Sequence, residues 1–322
     1  MENTTESTVI NNAAATPWDL CLDELVQDGV EASMTEIFRR LLASQSDSAA
    51  AEAAQQLDNH YREDYSSNPL LKLEEDRGLA GYLSCLYEMV FDLARAIPHD
   101  NDLQNRLVQF LVELARLPPK EVTIWKEKCL LYAENPVYTV ILDDNWNGSY
   151  PSSASNPETP ETLKRYDEWV NFSTFVARII RAGLNDKFDN WDKYPSFDTS
   201  NGLESSSDRG PRRDCLILVA TQYLQILGEK MYRRYIVGRA VGSKERQWGL
   251  DQWRLWSDKL QEIGNGQTSS NPEVVKAARD TLVHIVSLES SIQAESRDAN
   301  KGATESQGLK PEAQASTRHI DS

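Results

Sequence analysis

The spacing of large aliphatic residues between positions 79 and 117 constrains this chain more than any other feature. Leu79, Leu83, Leu86, Val90, Leu93 and Ile97 step by 4, 3, 4, 3 and 4 residues. That rhythm follows the 3.6-residue turn of an α-helix and cannot be read as the two-residue repeat of a strand. Pro98-His99-Asp100-Asn101 interrupts it. Leu103, Leu107, Phe110, Leu114 and Leu117 then resume it, and Pro118-Pro119 stops it. Two apolar stripes joined by a short break predict a helical hairpin whose leucines pack inward.

The same signals recur along the chain. Thr16-Pro17-Trp18-Asp19 has the N-cap, first-turn proline and early acid of a helix start. Ser33-Met34-Thr35-Glu36 reads as a capping box, and an alanine-rich helix spans roughly 48–61. Trp169, Phe172, Val176 and Ile179 form a stripe ahead of Gly183, and a long helix is predicted from about Asp214 to Val237. Within it, Gly228 suggests the close approach of a second helix. Trp253, Trp256, Leu260 and Ile263 share one helical face, so three of the eight tryptophans, with Trp248, crowd into nine residues. Such a face is either core or an aromatic wall. The last helix opens at Asn271-Pro272-Glu273, with Val275, Ala278, Leu282 and Ile285 inward. Only Pro136–Leu142 leans towards strand, and a lone strand makes no sheet. Residues 196–213 are rich in loop formers. The expected fold class is therefore all-α: an irregular array of antiparallel helical hairpins with no substantial sheet. It divides into a disordered tail (1–15), an N-terminal helical region (16–142), a linker or long loop (143–160), a C-terminal helical region packed on the first (161–292) and a disordered tail (293–322).

Charge narrows the partners. The chain has 34 Lys+Arg against 50 Asp+Glu, a net charge of −16. Such a surface suits neither nucleic acid nor an anionic membrane. No apolar run approaches membrane-spanning length, and the start, Met1-Glu-Asn-Thr-Thr-Glu6, lacks the basic-then-apolar pattern of a leader. Cys21, Cys85, Cys129 and Cys215 are far apart and sit among apolar residues, as reduced thiols do. An intracellular location, cytoplasm or nucleus, follows.

No motif for a cofactor, a metal or a known catalytic apparatus occurs: H-E-x-x-H, C-x-x-C, G-x-S-x-G and G-x-G-x-x-G are all missing. His60, in His60-Tyr-Arg-Glu-Asp64, reads as an exposed helix end. One segment stands out electrostatically. Arg209–Leu260 holds eleven Lys/Arg and five Asp/Glu, interleaved with Tyr232, Tyr235, Trp248, Trp253 and Trp256. It either packs on the acidic remainder or frames a small anionic or aromatic ligand. In the second case the residues to watch are Arg178, Tyr223, Arg233, Arg234, Trp253 and Trp256.

The order of three motifs carries a resemblance. Trp169-Val-Asn-Phe-Ser-Thr-Phe-Val-Ala177-Arg178 comes first, then the helix with Ala220, Tyr223 and Gly228-Glu-Lys-Met-Tyr232. Trp253 and Trp256 follow, ahead of Ala277-Ala278. Over roughly 70–290, and best from 160 to 290, this resembles the fungal family called domain of unknown function 3632. Phe188-Asp-Asn-Trp-Asp-Lys-Tyr-Pro-Ser-Phe197 departs from the Ala-Leu-Glu helix expected there. The resemblance implies a fungal, intracellular, helical protein, transfers no catalytic residue, and leaves open an accessory role in secondary metabolism. These features together favour a non-catalytic interaction or scaffold module with a protein partner. The alternative is an aromatic-lined small-molecule binder or accessory enzyme.

Overall fold

The computed structural model describes residues 15–62, 75–151, 159–184, 191–205, 209–234 and 249–307, with backbone alone at 75–77 and 296–307. Among them lie α1 (Pro17–Gln27), α2 (Ala32–Ala43), α3 (Ala49–His60), α4 (Glu75–Ala96) and α5 (Leu103–Arg116). A hairpin of β1 (Glu121–Ile124) and β2 (Glu127–Leu130) follows. Then come α6 (Pro136–Ser149), α7 (Pro160–Arg181), α8 (Lys193–Glu204), α9 (Pro211–Tyr232), α10 (Leu250–Gly264) and α11 (Pro272–Gln307). The protein is all-α, and no helix among the described residues is long and apolar enough to cross a membrane.

The stripes read from sequence are the core. Leu83, Leu86, Val90, Leu93 and Ile97 have no exposed surface, and Phe172, Val176 and Ile179 of α7 have none either. Burying each such side chain is worth about 1.5–3 kcal/mol. The stripes at 79–97 and 103–117 do not chiefly face one another. α4 packs on α6 and α7, and α5 packs on α3. The C-terminal half centres on α9, which packs on α7, α8 and α11. Gly228 lies where α10 and α11 approach: a Cβ there would meet Trp253 and His284 at 3.9 Å, ordinary contact. On α11, Val274 rather than Val275 turns fully inward, in step with Ala278, Thr281 and Ile285.

Several elements differ from their sequence-based expectation. Pro136–Leu142 is helical. Asn135 caps it by accepting from the Tyr138 amide at 3.0 Å, and Pro136 occupies the first turn. A good cap and buried Val137, Tyr138 and Leu142 outweigh the β preference of branched residues. The helix runs on to Ser149, so loop begins at Tyr150 rather than at 143; residues 152–158 lie outside the described set. The actual strands sit earlier and turn through Trp125-Lys126, at φ 50° and 71°. A two-residue hairpin turn of this kind normally carries Asn-Gly, which is why it went unread. Residues 193–204 form α8 despite their loop-like composition, because buried Tyr194, Asp198, Thr199 and Leu203 give them an inward face.

α2 begins at Ala32, one residue before the supposed capping box. Ser33 is thereby freed from capping, and its Oγ lies 2.8 Å from His60 Nε2. His60 is not an exposed end: it is 8% exposed and also meets Glu31 at 3.0 Å. α11 continues to Gln307, beyond the tail expected from 293, while 1–14 and 308–322 lie outside the described residues. So do Tyr235, Arg239 and Trp248.

Candidate functional site

Of the six residues singled out in the sequence, Trp253 and Trp256 lie together, their ring centres 6.3 Å apart, and the others have surroundings of their own. Trp253 and Trp256 are 3% and 1% exposed and pack in the core. Trp253 meets Tyr232 edge-on at 5.1 Å, and Trp256 Nε1 donates to Glu204 at 3.0 Å. Tyr223 is fully buried on α9. Arg233 is exposed, pairing with Glu229 and Glu295 at 2.8 Å each. Arg234 reaches Asp192 at 3.3 Å and lies 5.6 Å from the Trp191 ring centre.

Arg178 is a clasp. Its guanidinium donates to the His99 carbonyl at 2.8 Å and to Gln104 Oε1 at 3.2 Å. Gln104, itself without exposed surface, donates to the carbonyls of Ala94, Ile97 and Asn171. Asn171 completes the circuit by accepting from the His99 amide and donating to the Arg95 carbonyl, both at 2.8 Å. The break between α4 and α5 leaves carbonyls that no helix satisfies, and α7 supplies the donors for them.

Above this clasp lies a groove that the sequence did not announce. A cleft of about 610 Å³ opens between α1, α4 and α7. A second, of about 400 Å³, adjoins it between the end of α6 and the first half of α7. The two share Arg95 and Glu168. Arg95 is fixed in place: it donates to Asp92 at 2.7 Å, Asn145 at 2.5 Å and Ser149 at 3.0 Å, and stacks over Phe172 at 4.8 Å.

The larger cleft is acidic. Glu24, Asp28, Asp92, Asp167 and Glu168 line it, against Arg95 and Lys164, while Leu20, Cys21 and Leu25 supply an apolar floor. Leu20 is 51% exposed, and Leu25 is half-buried beside it. The field registers on Cys21, whose thiol is pushed up to about 12 by burial first and then by Asp92 and Glu24. Asp92 itself is raised, chiefly by burial, with Arg95 pulling the other way. The smaller cleft is different: Tyr150, Tyr166 and Trp169 stand beside Arg95, Arg165 and Thr162. Among the described residues no His/Cys/Asp/Glu group could hold a metal ion.

Behind Trp169 is a buried polar cluster. Asp198 of α8 has no exposed surface, and its Oδ2 accepts from Trp146 Nε1 of α6 at 3.1 Å. Tyr223 of α9 and Ser173 of α7, both fully buried, complete it. Burial pushes the Asp198 carboxyl up to about 7, with Trp146 and Tyr223 opposing. Trp146 also packs against Trp169 at 6.1 Å, Tyr150 at 6.1 Å and Phe197 at 5.2 Å. These aromatic contacts join the cluster to the wall of the smaller cleft.

Sequence reasoning missed the groove because its walls come from three distant segments. The only local hint was Glu24 and Asp28, one helical turn apart beside Leu20 and Leu25. No curated protein and no solved structure matches the chain. The family described as protein of unknown function, DUF3632, matches residues 87–260, more than half of the chain, and the chain belongs to that family.

Proposed function

We propose that this is a non-catalytic interaction module whose larger cleft holds a basic, partly apolar segment of a partner protein. What supports the reading is the pairing of five carboxylates with an exposed leucine floor. A Lys/Arg head finds opposite charge there while its aliphatic stem covers apolar surface. The family match takes in Asp92, Asp167 and Glu168 but neither Glu24 of α1 nor Asp28 at its C-cap. A fungal, intracellular setting in cytoplasm or nucleus fits the acidic composition and the isolated cysteines.

The test is fluorescence anisotropy of the full chain with a short labelled peptide of Lys, Arg and Leu, and with an Asp/Glu/Leu peptide of equal length. Binding of the basic peptide alone is expected, weakening with salt and lost in the Glu24→Lys/Asp28→Lys double variant. Equal affinity for the two peptides, or binding indifferent to the charge reversal, rejects the reading.

The smaller cleft favours a second reading. Its tyrosines and Arg165 suit a small anionic or aromatic molecule, as an accessory protein of secondary metabolism would bind. Titration with aromatic carboxylates, followed by tryptophan fluorescence, checks it; no shift at millimolar ligand counts against it.

A further inference from the structure

Asp198 poses a problem that folding alone does not solve. A carboxylate without exposed surface needs a cation or several strong donors to stay ionised. Trp146 Nε1 donates to it at 3.1 Å, and the Tyr223 hydroxyl is the other group that favours its charged form. Among the described residues no lysine or arginine acts on it; Arg212, which acts on Cys215, donates to the Pro151 carbonyl. α9 presents Tyr223 and Cys215, both raised chiefly by burial and hence protonated. α7 presents Ser173, and Asp167 lies beside Cys215. On α8 itself, Tyr194 is tied to Asp143 of α6, which Lys193 meets at 2.5 Å. At the far end, Glu204 takes bonds from Gln252 and Trp256 of α10. Arg213, buried on α9, donates to the Asn201 carbonyl. Neither Lys193 nor Arg213 figures among the influences on Asp198.

α8 is held close by shape as well. At Gly202 an added Cβ would overlap the Leu216 carbonyl oxygen and the Ala220 side chain of α9. α8 is thus seated tightly on α9 over a carboxyl that has no exposed surface.

We propose that α8 is a proton-controlled element, locked onto α6, α7 and α9 while Asp198 carries its proton and loosened when that proton leaves. The direction follows from linkage. The carboxyl titrates near 7 in the closed protein, against 3.8 when solvated. The closed form therefore holds the proton more tightly, and closure weakens as pH rises from about 4 to about 7, levelling off above. With those two values, opening of α8 increases about 30-fold between pH 5.5 and 8.5. Through Trp146 and Phe197 the change reaches Tyr150 and the smaller cleft, whatever either cleft binds.

Hydrogen exchange on the full chain tests this, corrected for the intrinsic pH dependence of amide exchange and referenced to α5. Protection of residues 193–204 should fall about 30-fold across that pH range in the wild type and stay flat in Asp198→Asn. A flat wild-type profile, or the same fall in the variant, overturns the proposal. Should Asp198→Asn not fold, difference infrared spectroscopy on the wild type decides. A buried protonated-carboxyl band present at pH 5.5 and gone at pH 8.5 supports the proposal; its absence at pH 5.5 overturns it.

Discussion

At the scale of single residues, Arg178 shows how a sequence motif acquires meaning. Its guanidinium, shifted down chiefly by burial, closes the gap between α7 and the α4–α5 break. Arg178→Ala should lower unfolding stability by about 2 kcal/mol, since it strips donors from a partly buried carbonyl and from Gln104. Denaturant unfolding checks it, and Arg178→Lys should recover little because one ammonium cannot serve both acceptors from that position. The Ala177-Arg178 motif was legible in the sequence. Its role was not, because His99 and Gln104 lie 79 and 74 positions away. Trp125 is the opposite case. A bulky residue at φ 50° sits in a left-handed conformation that suits glycine. Trp125 keeps about half of its surface covered, whereas its turn neighbour Lys126, at φ 71°, is exposed. Lys126→Gly should therefore raise stability by roughly 1 kcal/mol; a lower thermal midpoint would show that the lysine side chain anchors the hairpin.

At the scale of elements, periodicity made α4, α5, α7 and α10 readable, because each buries a face at helical spacing. α6 and α8 were misread for one shared reason: their local preferences disagree with their outcome. Branched residues in α6 and Ser, Asn and Gly in α8 weigh against helix, and contacts from elsewhere decide. Gly202 carries that decision for α8. Gly202→Ala should favour the isolated helix yet cost the protein about 2–3 kcal/mol, since the crossing on α9 must open. A denaturation midpoint at or above wild type would mean that α8 sits more loosely on α9 than Leu216 and Ala220 imply.

At the scale of the whole molecule, the tryptophan face on α10 resolves into core, while the groove arises only when α1, α4 and α7 meet. The fold class was legible because burial imprints a period on the chain. The groove was not, because concavity and charge convergence leave no period. The four thiols also take their character from the assembled whole. None is disulfide-bonded, and burial heads the causes that push Cys21, Cys85, Cys129 and Cys215 above their ordinary range. At neutral pH few of them exist as the nucleophilic thiolate. An alkylating reagent should thus label the native chain slowly and all four positions at once when it unfolds. The mass increment on brief exposure then becomes a built-in gauge of how often this molecule comes apart, needing no added probe.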